Sequence, residues 1–232
     1  MNKNNYYMII DGQKVPVLMR RHARARRIVL RLSHDGSAVN LTLPHRCPTK
    51  KAIAFARTQR DWIGDQLALK PQPVVIEPGI ILPVLGRKIK FLHHESRTTV
   101  EVGNRVYIGG DIQFFTRRVK DFIKKKAREE FSDMANQIAR RLRVKVASIT
   151  LRDTTSRWGS CSMDCHINLS WRLALAPARV ARYVIAHEIA HLRHFDHSPA
   201  FWRLVDKLHP KWEYDREWLH ENGAELHAYG AI

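Results

Sequence analysis

The chain is short of cysteine, of acidic residues and of long apolar runs, and each shortage removes a class of protein. Only Cys47, Cys161 and Cys165 occur in 232 residues. Three is too few, and odd in number, for a disulfide framework, so a reducing cytoplasm is the simplest expected home. No uninterrupted apolar run approaches the roughly 20 residues of a membrane span, so no membrane is expected as a partner. The first residues, Met1-Asn-Lys-Asn-Asn-Tyr-Tyr-Met-Ile-Ile-Asp11, are polar and soon meet a charge, which is not the form of a secretory signal peptide. Methionine is absent after Met163. No basic segment carries the interleaved aromatics of a base-stacking platform.

What is present belongs to a soluble globular protein: 44% of residues are apolar and 27% charged. The length suits one large or two modest domains with a sizeable core. Forty Lys and Arg against 22 Asp and Glu give a net charge of +18. Residues 1–146 hold 30 basic and 12 acidic residues, whereas residues 147–232 hold 10 of each. The excess therefore lies entirely in the first part, where it can steer nucleic acid or another polyanion, or retain an acidic substrate. A solvated basic surface is the plainer alternative. Five arginines between Arg20 and Arg27 suit bidentate phosphate contacts, while Lys124–Lys126 reads as the wet side of a helix.

Residues 6–10 and 14–19 read as strands about Asp11-Gly12, a hairpin dipeptide. A half-exposed strand follows at residues 28–32, a turn at Asp35-Gly36, and a return strand at 38–43. A helix is expected from Pro48 to about Leu69, with Phe55, Trp62, Ile63 and Leu67 along one side. Pro71, Pro73 and Pro78 then make a linker-like stretch. Strands at 80–84, 88–92, 98–102 and 105–108 precede a helix from Thr116, read as its cap, to about Leu142. Two hairpin-then-helix blocks in succession hint at a loose repeat, although their side chains match poorly. Residues 147–151 read as a strand, 152–163 as a polar loop and 166–173 as an alternating strand whose edge can take an extended peptide. A helix apolar nearly all round runs from Ala178 to about His194, opened by Pro177. Phe201 to Leu208 and the segment around Trp212 and Trp218 supply two packing helices.

The chain is organised around Tyr183-Val-Ile-Ala-His187-Glu188-Ile-Ala-His191, which contains a His-Glu-x-x-His core. Residues four apart share a helix face, so His187 and His191 can aim at one point. Two such imidazoles form half of a tetrahedral zinc site, and Glu188 stands beside the open position that water would take. Zinc brings the pKa of such a water to about 7, and the carboxylate can then accept its proton. His197, six residues after His191, is the expected third ligand, and Glu213 is the competing one. The spacing matches the metzincins, but a glycine is due where His194 stands and no methionine turn follows. A pair of hydrogen-bonded core histidines is the alternative for His187 and His191. His194 reads as exposed or as a support to the ligands, since a fourth histidine would close the site.

Arg157-Trp-Gly-Ser-Cys161, the strand to Trp171, Pro177, the His187–His191 core and His197-Ser-Pro-Ala-Phe-Trp202 together resemble the YgjP-like (DUF45) metallopeptidase family. That family is similar in turn to the SprT-like and WLM zinc peptidases. The resemblance covers residues 80–222 best. It implies an α+β fold with a zincin-like C-terminal metallopeptidase domain, one zinc on His187, His191 and His197, and Glu188 as the catalytic residue. Two related groups process proteins on DNA, which would suit the basic N-terminal half.

The expected organisation is a basic, β-hairpin-rich N-terminal region over residues 1–76 and a zincin-like domain over 77–232, with its active-site core in 146–222. The expected function is a zinc peptidase acting on a peptide or protein substrate. The alternatives are a zinc-dependent nucleotide phosphoanhydride hydrolase on the same site, and a nucleic-acid-binding protein with a structural zinc. Arg157 is a candidate for binding substrate or an oxyanion, as is Tyr214. Cys161 lacks an evident activating base and is not expected to be a nucleophile.

Overall fold

The structure, a computed structural model, describes residues 6–33, 37–69 and 71–230, and the expected Asp35-Gly36 turn lies outside them. The chain forms two compact units, residues 1–72 and 73–232.

In the first unit, strands Tyr6–Ile10 (β1) and Gln13–Arg21 (β2) form a hairpin. Asp11 and Gly12 sit at φ 47° and 78°, the left-handed pair that a two-residue type I′ turn requires. Val29–Leu32 (β3) and Val39–Leu43 (β4) complete a sheet of order β1-β2-β4-β3, with β2 parallel to β4. Strand alternation sends Ile10, Val15, Val17, Val39, Leu41 and Leu43 to one buried face. The expected single helix is broken at Gln59 into Thr49–Thr58 (α1) and Arg60–Ala68 (α2). Ala52, Ala56 and Ile63, spaced four and seven apart, still share one face and cover the sheet. Trp62, expected on the apolar side, is 45% exposed.

The second unit begins earlier than the expected break at residue 76. Val74 is tied to the far end of the unit, its N–H donating to Ala228 O at 2.9 Å and its carbonyl accepting from Gly230 N at 3.0 Å, and Ile76 is buried. Strands Ile81–Val84 (β5), Arg87–His94 (β6), Val100–Val102 (β7) and Arg105–Gly109 (β8) form a sheet of order β5-β6-β8-β7, with β6 parallel to β8. Strand order and directions repeat those of the first sheet, so the loose repeat exists as topology. Alternation alone satisfies such a sheet, which is why its side chains need not match.

The long helix Phe115–Leu142 (α3) buries Val119, Ile123, Ala127, Phe131, Ala135 and Ile138 as one stripe. Its entrance is capped through a short 3₁₀ turn, where Asp111 accepts from Gln113 N at 3.1 Å. Thr116, the expected cap, instead donates to Ile76 O at 2.8 Å.

Strands Ser148–Arg152 (β9), Gly159–Cys161 (β10) and His166–Ser170 (β11) form a third sheet of order β10-β11-β9. The expected polar loop thus contains a strand. The expected strand over 166–173 stops at Ser170 and becomes a 3₁₀ turn over Trp171–Leu175, every residue of which is buried. β11 lies between two partners, so its edges are taken; among the described residues the free antiparallel edge is that of β10. Helices Ala178–Ala190 (α4), Pro199–Leu208 (α5) and Trp212–Ala228 (α6) follow. Ser198 accepts from Phe201 N at 3.4 Å with Pro199 in the first turn, so one of the N–H groups a helix start leaves unpaired is satisfied and another is absent. α4 is central, touching α3, α5, α6 and β10, which accounts for its apolar circumference. No described helix is long and apolar enough to cross a membrane.

Candidate metal centre and its cleft

Tyr183, His187 and His191 follow one another at helical intervals of four along α4, and so share its face. The helix ends at Ala190 with His191 as its C-cap, ahead of the expected end near His194. This early stop lets the chain turn back before α5 and carry His197 over the same face. One ring nitrogen from each of His187, His191 and His197 lies within 4.8 Å of the others. His187 Nε2 and His197 Nε2 are 3.2 Å apart. Zinc–nitrogen bonds of about 2.0–2.1 Å at a tetrahedral angle place two ligand nitrogens about 3.3 Å apart, so the pair fits such an ion. His191 Nδ1 donates to the carbonyl of His194 at 3.0 Å, which leaves Nε2 as the free lone pair. His194 thus acts through its backbone. The ring of Phe201 packs against all three imidazoles, with centroids 4.6–4.9 Å away.

Burial, then the neighbouring His191 and His197, pushes His187 down to about 3. Burial lowers His191 as well. Both rings are therefore neutral at neutral pH, the form that binds a metal. This all-imidazole donor set suits zinc, copper or nickel better than a hard oxygen-seeking cation.

Glu188, only 5% exposed, lines a cavity of about 380 Å³ together with His187, Trp158 and Gly159. Burial raises its carboxyl to about 7, and Arg157 pulls in the opposite direction. Gly159, the first residue of β10, presses on it: a Cβ there would stand 2.5 Å from Glu188 Oε1 and 2.7 Å from its Cγ. A methyl group at this point must displace the carboxylate. Gly159→Ala is therefore expected to retain metal, measured by elemental analysis, while turnover falls by about tenfold or more, overpacking of about 1–3 kcal/mol being applied at the Glu188 carboxylate.

Arg157 is exposed and stands before β10, near enough to influence Glu188. Glu213, the competing ligand, is exposed in the first turn of α6 and outside the histidine cluster. Tyr214 is 71% exposed and does not line the cleft. It precedes Arg216 by two positions, about 200° around the helix, and it is Arg216 and His220 that α6 turns into the cavity wall. These two residues, with Trp158 and Tyr183, are members of the site that sequence reasoning missed. Tyr183 was detectable from its spacing of four before His187, and Arg216 and His220 share the same interval.

α6 is held at both ends. Near its start, buried Asp215 accepts from Arg179 and from His209 Nε2, the latter at 2.6 Å. At its end, Arg172 donates to the carbonyls of Leu226 and Tyr229 at 3.0 and 2.8 Å, a cation where a helix C-terminus favours one. The same guanidinium pairs with Asp153.

Cys161 and Cys165 are both free thiols. Burial, with Glu188 nearby, raises the Cys161 thiol to about 11. The nucleophilic thiolate forms only as pH climbs toward that value. Iodoacetamide labelling of Cys161, followed by peptide mass spectrometry, is expected to rise about tenfold per pH unit between 7 and 10 and to level off only near 11. A plateau below pH 8 would contradict this.

No curated protein matches the chain. A solved structure, the crystal structure of the metallopeptidase zymogen of Pyrococcus abyssi abylysin, is 23% identical, with 42% of this chain and 95% of that chain covered at a TM-score of 0.37. The profile of the YgjP-like family, described as a metallopeptidase domain, matches residues 26–222. That span includes the histidine cluster and Glu188, and it reaches back into the basic first unit; the chain belongs to the YgjP-like metallopeptidase-domain family.

Proposed function

We propose that this chain is a zinc-dependent peptidase with zinc held by His187, His191 and His197 and with Glu188 as general base. The observation that carries the proposal is the convergence of three imidazole nitrogens within 4.8 Å, next to a buried carboxylate that opens on the same cavity. Zinc bound there supplies a Lewis acid that acidifies water and polarises a carbonyl. Glu188 takes a proton from the attacking water and passes it to the leaving amide nitrogen. The free edge of β10 can pair with an extended peptide by strand addition, which replaces the β11 edge expected from sequence. Arg216 and His220 line the same cavity and are donors available for the oxygen that gains charge.

The test is hydrolysis by zinc-loaded protein of casein-derived peptides, with nucleoside triphosphates assayed in parallel. Peptide cleavage abolished by a chelator and restored by zinc supports the proposal; release of pyrophosphate with peptides untouched would replace it by the nucleotide reading. A structural zinc needs a fourth protein ligand, and among the described residues the cluster ends at three. For the basic residues 1–146 we propose contact with a polyanion such as nucleic acid, with affinity falling steeply as salt rises. Within the arginine cluster Arg21 is already committed, donating to the carbonyls of His45 and Cys47 at 2.7 and 2.8 Å.

A further inference from the structure

A second cavity, of about 310 Å³, adjoins the cleft and shares Gly159 with it. Its charged lining residues are Arg152, the last residue of β9, and Arg157; Thr154, Ser160 and Asn168 add polar groups. Neither arginine forms an ion pair with an acid among the described residues. Asp153, adjacent in sequence, is engaged by Arg172, with Nε 3.0 Å from Oδ1. Arg152 spends only its Nε, on Asn168 Oδ1 at 3.4 Å. The loop carrying Arg157 is pinned where Thr154 donates to the Arg157 carbonyl at 2.7 Å. General basicity does not explain the pair, because residues 147–232 carry equal numbers of basic and acidic residues.

We propose that the Arg152–Arg157 pocket is a specificity subsite that receives a carboxylate of the peptide substrate, supplied by an Asp or Glu side chain or by a free C-terminus. This deepens the peptidase reading and rests on it. A guanidinium presents a planar fork of donors that a carboxylate fills in pairs, and a charged hydrogen bond is about twice as strong as a neutral one. Position adds to the chemistry. Gly159 touches Glu188 on one side and lines the arginine pocket on the other, so a substrate lying along β10 passes the pocket close to its scissile bond. A lysine at the same place would meet two uncompensated cations.

The test uses the zinc-loaded full chain and internally quenched peptides that differ only by Glu or Gln, scanned through the positions flanking the cleaved bond. A matched pair with free or amidated C-terminus is included. At one position, or for the free acid, kcat/KM is expected to exceed that of the neutral partner by about tenfold to a hundredfold. The ratio should fall toward one in Arg152→Gln and in Arg157→Gln, and Arg152→Glu should favour a Lys peptide. Equal zinc content in these variants certifies their fold. Ratios near one throughout the wild-type scan, or ratios unchanged in both glutamine variants, overturn the subsite while leaving the peptidase intact. Binding of labelled Glu and Gln peptides to the zinc-loaded Glu188→Gln variant, followed by fluorescence anisotropy, separates the two readings. Selective binding with no cleavage by wild type would sink the peptidase alone. Hydrolysis of a nucleoside triphosphate that depends on Arg152 would reassign the pocket to phosphate and overturn the proposal.

Discussion

Glu188→Gln is expected to keep its zinc and to lose about 10²- to 10⁴-fold in peptide turnover, the range that a positioned general base contributes. The amide is nearly isosteric, so the contact with Gly159 is preserved, but it cannot accept the proton. Burial already raises the carboxyl to about 7, which shows that its environment disfavours charge. A neutral amide is thus accommodated without loss of stability. Stoichiometric zinc by elemental analysis, with a collapsed kcat and little change in KM, is the expected combination. Turnover within a few fold of wild type would remove Glu188 as the base and send the search to the other groups of the cavity wall.

His191→Ala should have the broader effect, with zinc and activity lost together. Changing a residue that merely supports a ligand costs about 10- to 100-fold in metal affinity, so removing the ligand itself should cost more. His191 is the imidazole whose orientation is fixed by a carbonyl, that of His194 at 3.0 Å. It also stacks on Phe201, with centroids 4.6 Å apart. Competition with a chromophoric zinc chelator measures the loss directly. An affinity unchanged from wild type would show that His191 is not a ligand, whatever happened to catalysis. The two variants are informative as a pair: one separates chemistry from metal retention, and the other abolishes both.

Local spacing carried much of this protein into view. The interval of four between His187 and His191 is a property of any helix, and the Asp11-Gly12 turn requires only two left-handed residues, so both could be read without knowing what packs against them. The buried stripe of α3 follows the same logic. The Trp158–Gly159 segment could not be read in this way. Its polar residues suit a loop, and β10 is a strand only because β11 supplies hydrogen-bond partners from elsewhere in the chain. The alternation from His166 to Leu173 misled for a related reason: the residues after Ser170 are buried on every side, and periodicity says nothing about direction once both faces are covered.

By itself, then, the sequence determined that two imidazoles and a carboxylate share one helix, that the basic excess precedes them, and which family the motifs resemble. Only the tertiary structure decided that His197 returns to the same point, that α6 contributes Arg216 and His220 rather than Tyr214, and that Gly159 stands between the buried Glu188 carboxylate and a pair of arginines. The division has a physical cause. Helical intervals are set by backbone geometry within a few residues, whereas a cleft is set by which distant segments can pack together, and that choice belongs to the whole core.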